Sequence, residues 1–247
     1  MNRFYVDLPL SLNETLSLPE NVFHHWVRVL RAQTGEQAIL FNGQGGEYIA
    51  TLTDVQKKTA SVLLAQFSAE DRTPGYQVTL GQVMSKGDRM DYAIQKATEL
   101  GVHAIQLLVS ERCEMRLKYE RDQKKIEHWQ QVAIAACEQC GMNRVPQILP
   151  PLSLQEWFTQ LESIEARKLV LAPARHPVSF TMPFPQSLYL LVGPEGGLSS
   201  AEIELASSNN FECWTLGERI LRTETAPVAA MSALLFAYSS CNQAKQF

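Results

Sequence analysis

The chain has 247 residues, of which 45% are hydrophobic and 19% charged, and its formal net charge is −4. That length accommodates one large core or a small domain plus a medium one, and the composition excludes a largely disordered chain. An acidic total counts against phosphate binding by the surface as a whole, because nucleic-acid binders usually show a basic surplus, but it does not report local patches.

Residues 1–70 read mainly as strands. Residues 36–41, the Gly/Asn-rich stretch 42–46 and residues 47–52 form a strand–turn–strand hairpin pattern. Residues 59–67 read as a further strand. Between them and the N-terminus, Val22, Phe23, Trp26, Val29 and Leu30 recur at α-helical spacing, which predicts a helix over 19–31. Residues 68–75 are polar and end in Pro74-Gly75, a linker signal.

Beyond the linker the pattern changes to strands alternating with helices. Residues 77–84 read as a strand. Asp88 is placed to cap a helix with apolar positions Met90, Ala93, Ile94, Ala97 and Leu100, stopped by Gly101. An apolar strand over 102–109 and a helix over 124–140, ending at Gly141, follow. Ser153 with Glu156 and Ser199 with Glu202 form two capping boxes, each opening a helix. Residues 168–172, 187–192 and 211–216 are apolar runs suited to strands buried on both faces. A last helix is expected over 226–241, with Pro227 tolerated in its first turn. This alternation implies an α/β fold with a largely parallel sheet.

No apolar run approaches the length of a membrane span. Residues 1–16 carry Arg3 early, hold no uninterrupted apolar core and offer no small-residue cleavage site, so no signal peptide is expected. A cytoplasmic chain with its five cysteines reduced is the corresponding expectation.

Ligands of open parallel sheets bind beyond the carboxyl ends of the strands, and two unusual segments lie at such ends. The first is Val192-Gly193-Pro194-Glu195-Gly196-Gly197-Leu198-Ser199. Its glycines let backbone approach a ligand, and the following helix offers free N–H groups. It is neither a phosphate-binding P-loop nor a dinucleotide fingerprint, and a plain strand-to-helix turn is its bland alternative. The second is Leu216-Gly217-Glu218-Arg219-Ile220-Leu221-Arg222-Thr223-Glu224-Thr225-Ala226. Its bland reading is a helix start capped by Thr223 or Thr225 with solvated charges.

Together these two segments closely resemble the RsmE-type family, the ribosomal small-subunit RNA uracil-N3 methyltransferases of the knotted SPOUT superfamily. Further segments agree with it: His25 with Arg28-Val29-Leu30-Arg31, residues 80–87, Gln95-Lys96 with Glu99-Leu100-Gly101-Val102, Ser110-Glu111-Arg112-Cys113, and residues 135–141. The resemblance spans essentially the whole chain. It implies a PUA-like RNA-binding β-barrel domain over 1–72 and, over 73–247, a SPOUT-type parallel α/β sheet tied into a deep trefoil knot. Composition and periodicity do not indicate a knot.

The resemblance further implies a homodimer with its sites at the subunit interface, no membrane or metal, and 16S ribosomal RNA of the small subunit as partner. Its implied cofactor is S-adenosyl-L-methionine, bound among three loops. On this chain those loops lie around Leu171-Ala172-Pro173, over 192–198 and over 216–223. The expected cofactor residues are Leu171, Val192, Gly193, Pro194, Glu195, Gly196, Gly197, Leu216, Gly217, Ile220, Leu221 and Thr223. Two positions depart from the family pattern: Met142 stands where a basic residue is expected, and Glu218 where a proline is common.

Methylation at N3 of uracil requires loss of the N3 proton. An enzyme removes it with a base or stabilises the resulting anion. Arg222 is the candidate for the second role, since a guanidinium stays charged and donates in a fixed plane. Glu224 is the candidate base, with capping or ion pairing as its alternative. His25, Arg28 and Arg31, with Lys86, Arg112 and Arg144, are candidate RNA contacts, solvated surface charge being the bland reading of each. Cys137 and Cys140 form a lone C-x-x-C without further ligands at matching spacing, and core or interface packing outweighs a metal role. Trp26, Trp129, Trp157 and Trp214 read as core or interface residues. Two other readings stay open: the same chemistry on a different RNA, and a non-enzymatic RNA-binding assembly factor.

Overall fold

Alternating apolar positions in the first 70 residues build one sheet. The computed structural model describes residues 1–115, 119–174, 176, 178–181 and 183–243. It divides into two units, Met1–Thr73 with Ile134–Val145, and Pro74–Ala133 with Pro146–Phe247.

In the first unit the strands are β1 (Arg3–Tyr5), β2 (Thr15–Ser17), β3 (Gln37–Phe41), β4 (Glu47–Val55) and β5 (Ala60–Ser68), in the order β1-β3-β4-β5-β2. The expected hairpin is β3–β4, paired antiparallel from Gln37↔Thr51 to Leu40↔Tyr48. At the turn, Asn42 Oδ1 accepts from the Gln44 N–H at 3.2 Å, the local bond that makes Asn a turn former. The core beneath the sheet comprises Phe4, Trp26, Leu40, Leu52, Val62, Leu64 and their neighbours.

The helix expected over 19–31 departs from its α-helical pattern. A short α1 (Glu20–Val22) passes into a π-helix over Phe23–Val29, in which the Leu30 N–H reaches back five residues to the His25 carbonyl at 3.0 Å. The wider turn changes which side chains share a face. Val22, Phe23 and Trp26 are buried, whereas Val29 and Leu30 are 57% and 45% exposed. Those two are therefore not core positions.

A buried polar network also belongs to this unit. Arg3 donates to Glu47 Oε2 and to Asn143 Oδ1, each at 2.5 Å, and Asn143 Nδ2 donates to the Glu70 carbonyl at 2.8 Å. Burial alone would raise the Glu47 carboxyl; bonds from Arg3 and Asn143 and the charges of Arg3 and Arg72 outweigh it and hold the group low. Met142 is buried against Phe41 and Cys137. An apolar side chain at this position thus packs inward, where a basic one would need a partner.

The second unit contains β6 (Gln77–Val83), α2 (Arg89–Glu99), β7 (Ala104–Val109), α3 (Tyr119–Cys140), β8 (Gln147–Ser153), α4 (Leu154–Leu161), β9 (Arg167–Leu171), β10 (Ser187–Val192), α5 (Ser200–Ser208), β11 (Phe211–Trp214) and α6 (Thr225–Gln243). The last residues of α3, from Ile134, belong to the first unit. The sheet order is β11-β9-β10-β6-β7-β8, and every pair is parallel. Leu169, Val170, Leu188, Leu190 and Leu191 are completely buried, as expected of strands covered on both faces.

Both capping boxes form: Ser153 and Ser199 accept from the N–H groups of Glu156 and Glu202, whose carboxylates return the bond. Asp88 stands at the start of α2 but makes no capping bond with its side chain, because its backbone is already helical (ψ −3°) rather than extended. Strand β8 has no counterpart in the sequence reading. It contains Pro150 and Pro151, which lack ladder donors, and it is tolerated as the outermost strand. No helix among the described residues is long and apolar enough to cross a membrane.

Candidate active site

From β6 the chain goes outward to β7 and β8 on one side, and β9, β10 and β11 all lie on the other side, with β10 next to β6. The order therefore reverses between β6 and β10, and the crevice outside their carboxyl ends is where this architecture places ligands. Gln82 of β6 lies in register with Val192 of β10, just before both strands end.

One side chain joins these ends to the loop before α6. Thr223 is buried, and its hydroxyl donates to the Gly193 carbonyl at 2.8 Å. The same oxygen accepts from Gln82 Nε2 at 3.3 Å and from Ser85 Oγ at 3.4 Å. A hydroxyl has one proton and two lone pairs, so all its bonding capacity is used. Thr223 is thus a tie between loops and not a cap of α6, whose first N–H groups bond to the Arg222 carbonyl.

Charged side chains fasten the glycine loop from outside. Arg89 Nη1 donates to Glu195 Oε1 at 2.6 Å, and the Lys86 N–H reaches the same oxygen at 3.3 Å. Arg112 Nη1 donates to the Gly196 carbonyl at 2.9 Å. Glu202 closes its capping box and also accepts from the Glu111 N–H at 2.7 Å. Burial alone would raise the Glu195 carboxyl. Its own N–H, Arg89 and the Lys86 N–H outweigh that effect and hold it below the ordinary glutamate value.

A cleft of about 520 Å³ opens at the ends of β9 and β11. Its walls include Leu171, Ala172 and Pro173 from the first loop, Gly197 and Leu198 from the second, and Leu216, Gly217, Ile220 and Leu221 from the third. Gly197 and Gly217 have φ of +67° and +85°, a conformation in which other residues are strained. Ala174, Ile203, Trp214, Thr215, Glu218, Arg219 and Ala226 complete the lining, beyond the expected set.

The remaining expected cofactor residues do not line this cleft. Val192 and Pro194 are buried. Added Cβ atoms would crowd Leu198 at Gly193 (3.1 Å) and Arg112 at Gly196 (3.3 Å), so these two glycines serve packing of the loop itself.

Glu195 and Thr223 line a second, smaller pocket of about 200 Å³, together with Arg89, Ile220, Leu221, Arg222 and Glu224. The two pockets share Ile220 and Leu221. Arg222 and Glu224, the expected catalytic pair, thus line the pocket that adjoins the larger cleft. Glu224 Oε2 is buried without a hydrogen-bond donor; Arg89 Nε lies 3.8 Å from it, and Arg222 Nη1 lies 4.0 Å from Oε1. Arg89 was not singled out by the sequence reading. Its only sequence signal is a position in the first turn of α2, after a strand end.

The six candidate RNA contacts divide by surroundings. His25, Arg28 and Arg31 are exposed in the first unit, where Arg28 lies over the Phe23 ring and donates to the Lys57 carbonyl. Arg144 Nε is paired with Asp71 at 2.8 Å. Lys86 is paired with Glu114 at 2.6 Å, which raises its ammonium above the ordinary value. Arg112 holds Gly196 as described. No cluster of three or more metal-ligating side chains occurs among the described residues.

The lowered Glu195 carboxyl sets a pH dependence. Its stabilisation is fully present above the unfolded glutamate value of about 4.3 and is lost as pH falls through the lower folded value. Glu195→Gln is expected to destabilise the chain at neutral pH, with the difference from the unaltered chain narrowing below that range in denaturant unfolding. A difference unchanged from pH 7 to pH 3 would contradict the clasp.

Known proteins resemble this chain in sequence and structure. The RNA methyltransferase domain family matches residues 72–235, and the RNA methyltransferase PUA domain family matches residues 18–64. Ribosomal RNA small subunit methyltransferase E of Buchnera aphidicola is 34% identical over 94% of each chain, and that of Bacillus subtilis 32% identical over 96% of each. The structure of ribosomal RNA small subunit methyltransferase E from Neisseria gonorrhoeae bound to S-adenosyl methionine aligns with a TM-score of 0.88. It is 37% identical and covers 96% of this chain and 98% of its own. A methyltransferase from Legionella pneumophila with bound cofactor SAM aligns equally well, at 37% identity over 95% of this chain and 97% of its own. A parallel α/β methyltransferase unit, a PUA-like N-terminal unit and end-to-end identity above 30% together place this chain in the ribosomal RNA small subunit methyltransferase E family.

Proposed function

We propose that the chain is an S-adenosylmethionine-dependent methyltransferase acting on N3 of a specific uridine in 16S ribosomal RNA of the small subunit. The observation that carries this reading is the pair of adjoining pockets at the strand ends, one apolar and cofactor-sized, the other small and charged. The larger has a volume within the range of about 300–1,000 Å³ usual for small-molecule sites. Leu171, Leu198, Leu216, Ile220 and Leu221 suit the faces of an adenine, and the open Gly197 and Gly217 backbone suits its polar edge. The residues present therefore fit the cofactor, and relatives of known structure are bound to it.

When bound, S-adenosylmethionine supplies an electrophilic methyl group. The protein's part is to present the nucleophile. Glu224 has a buried oxygen free to accept the N3 proton, and Arg222 brings a guanidinium to the negative charge left on the ring oxygens. Thr223, between them, fixes the loop to both central strands. Val192, Gly193, Pro194, Glu195 and Gly196 shape the cofactor site through the loop they form.

Residues 1–72 are the PUA-like RNA-binding barrel and 73–247 the catalytic SPOUT domain with its trefoil knot. The family resemblance supports both assignments, and the reversal of strand order between β6 and β10 accords with the second. His25, Arg28, Arg31 and Arg144 in the first unit, and Lys86 and Arg112 in the second, contribute RNA contacts. A chain that modifies small-subunit RNA acts in the cytoplasm.

The active form is a homodimer. Helix α6 carries no charged residue over 225–243, Phe236 on it is 75% exposed, and Ile220 at the pocket mouth is wholly exposed. These exposed apolar side chains, on an uncharged helix and at the pocket mouth, suit burial against a second copy of the chain. Light scattering is expected to give twice the chain mass, and Phe236→Glu to shift it toward the monomer; a monomeric unaltered chain would contradict the assignment.

Transfer of labelled methyl to unmodified small subunits, with transfer RNA in parallel, tests the activity. N3-methyluridine at one site of small-subunit RNA is expected. Arg222→Ala should lower turnover by about 100-fold or more while cofactor binding persists, the loss typical of removing one charge-stabilising donor. Transfer only to another RNA, or near-normal turnover by that variant, would overturn the corresponding assignment.

A further inference from the structure

We propose that Arg222, Glu224 and Arg89 read the Watson–Crick edge of the target base as donor, acceptor and donor, which makes Arg89 a specificity-determining residue. The proposal rests on the RNA-methyltransferase reading of this site and deepens it. The small pocket is walled by these three side chains together with Glu195, Ile220, Leu221 and Thr223. Glu224 lies between the two guanidiniums, 3.8 Å from Arg89 Nε on one oxygen and 4.0 Å from Arg222 Nη1 on the other. Both separations exceed hydrogen-bond length, so neither arginine satisfies the carboxylate. Its Oε2 is buried without a donor, a costly state for a charged acceptor unless a ligand supplies the proton.

Uracil presents carbonyl, N3–H and carbonyl along this edge: acceptor, donor, acceptor. The pocket offers the complementary order. Cytosine presents an amino donor, a bare ring nitrogen and a carbonyl, so its N3 lone pair would face the Glu224 carboxylate and its amino group a guanidinium. Two of three positions would then be mismatched. A site built from buried polar groups rejects such a ligand strongly, because those groups are left unpaired. Ile220 and Leu221 supply apolar surface for the ring faces, and a pocket of about 200 Å³ favours a single-ring base.

Arg89 is held in place by Glu195 Oε1 at 2.6 Å through Nη1, which leaves Nε and Nη2 to donate. Its neighbour Glu195 is itself fixed by the Lys86 N–H. The donor on the Arg89 side is therefore preorganised on the glycine loop and α2, independently of the more exposed Arg222, whose side chain is 81% exposed.

The test uses small-subunit RNA transcripts carrying either uridine or cytidine at the position the enzyme methylates. Filter binding of both transcripts, methyl transfer to the uridine form, and calorimetric cofactor affinity are measured for the unaltered chain, Arg89→Met, Arg89→Lys and Glu224→Gln. The unaltered chain is expected to prefer uridine by about tenfold or more, the scale of one good base-edge contact. Arg89→Met should lose most of that preference whatever its cofactor affinity, Arg89→Lys should retain part of it, and Glu224→Gln should lose it because its amide can donate as well as accept. An undiminished uridine preference in Arg89→Met would overturn the proposal, even if its cofactor affinity fell, since Arg89 would then serve only to clasp Glu195. Failure of the unaltered chain to methylate any RNA would instead overturn the underlying reading, and the proposal with it.

Discussion

The Thr223 hydroxyl is the point at which three separate stretches of chain meet. It donates to Gly193 at the end of β10 and accepts from Gln82 and Ser85 at the end of β6, the latter two bonds in a buried setting. Opening either contact to the end of β6 leaves a buried group unpaired, at a cost of about 1–3 kcal/mol. That asymmetry holds the loop over 216–224 against the glycine loop. Thr223 lines the smaller pocket, and Ile220 and Leu221 are common to that pocket and the larger cleft. A cofactor in the first and a base in the second would therefore be neighbours by construction, and alignment of reacting atoms is a major source of rate.

The outer fastenings are of another kind. The Arg89–Glu195 ion pair and the bond from Arg112 to the Gly196 carbonyl lie at the surface, where charged contacts contribute little to stability and are screened by salt. Their role is geometric: they set the path of the glycine loop, while the hydrophobic strands beneath supply the free energy. The division is visible in Arg112. Its guanidinium holds the Gly196 carbonyl, and its Cβ lies 3.3 Å from where a Cβ on Gly196 would stand, so a side chain there requires a small shift.

Features governed by local rules were legible from the sequence. The β3–β4 hairpin, both capping boxes and the buried strands β9 and β10 follow from turn residues, three-residue spacing and apolar runs. Features set by distant partners were not. Thr223 bonds to residues 141 and 138 positions away, and Arg89 to one 106 positions away, so neither pairing leaves a mark at any spacing that can be read locally. Strand β8 was hidden by its two prolines, since only its edge position makes them acceptable. The π-helical turn after Val22 was hidden because a 3.6-residue period assumes the helix type it is meant to detect. The family resemblance located the three loops, but not which of their residues face the cleft and which only pack the loop.

The central claim is that a single saturated hydroxyl keeps the two pockets in register. Calorimetric titration of S-adenosylmethionine into Thr223→Val and Thr223→Ser tests it most directly. Valine keeps the shape and removes the three bonds, whereas serine keeps the hydroxyl. Binding about tenfold weaker or worse for Thr223→Val, with Thr223→Ser close to the unaltered chain, is the predicted result, corresponding to about 1.4 kcal/mol or more. Equal affinity in Thr223→Val and the unaltered chain would contradict the account and leave the cleft to be held by its apolar walls alone.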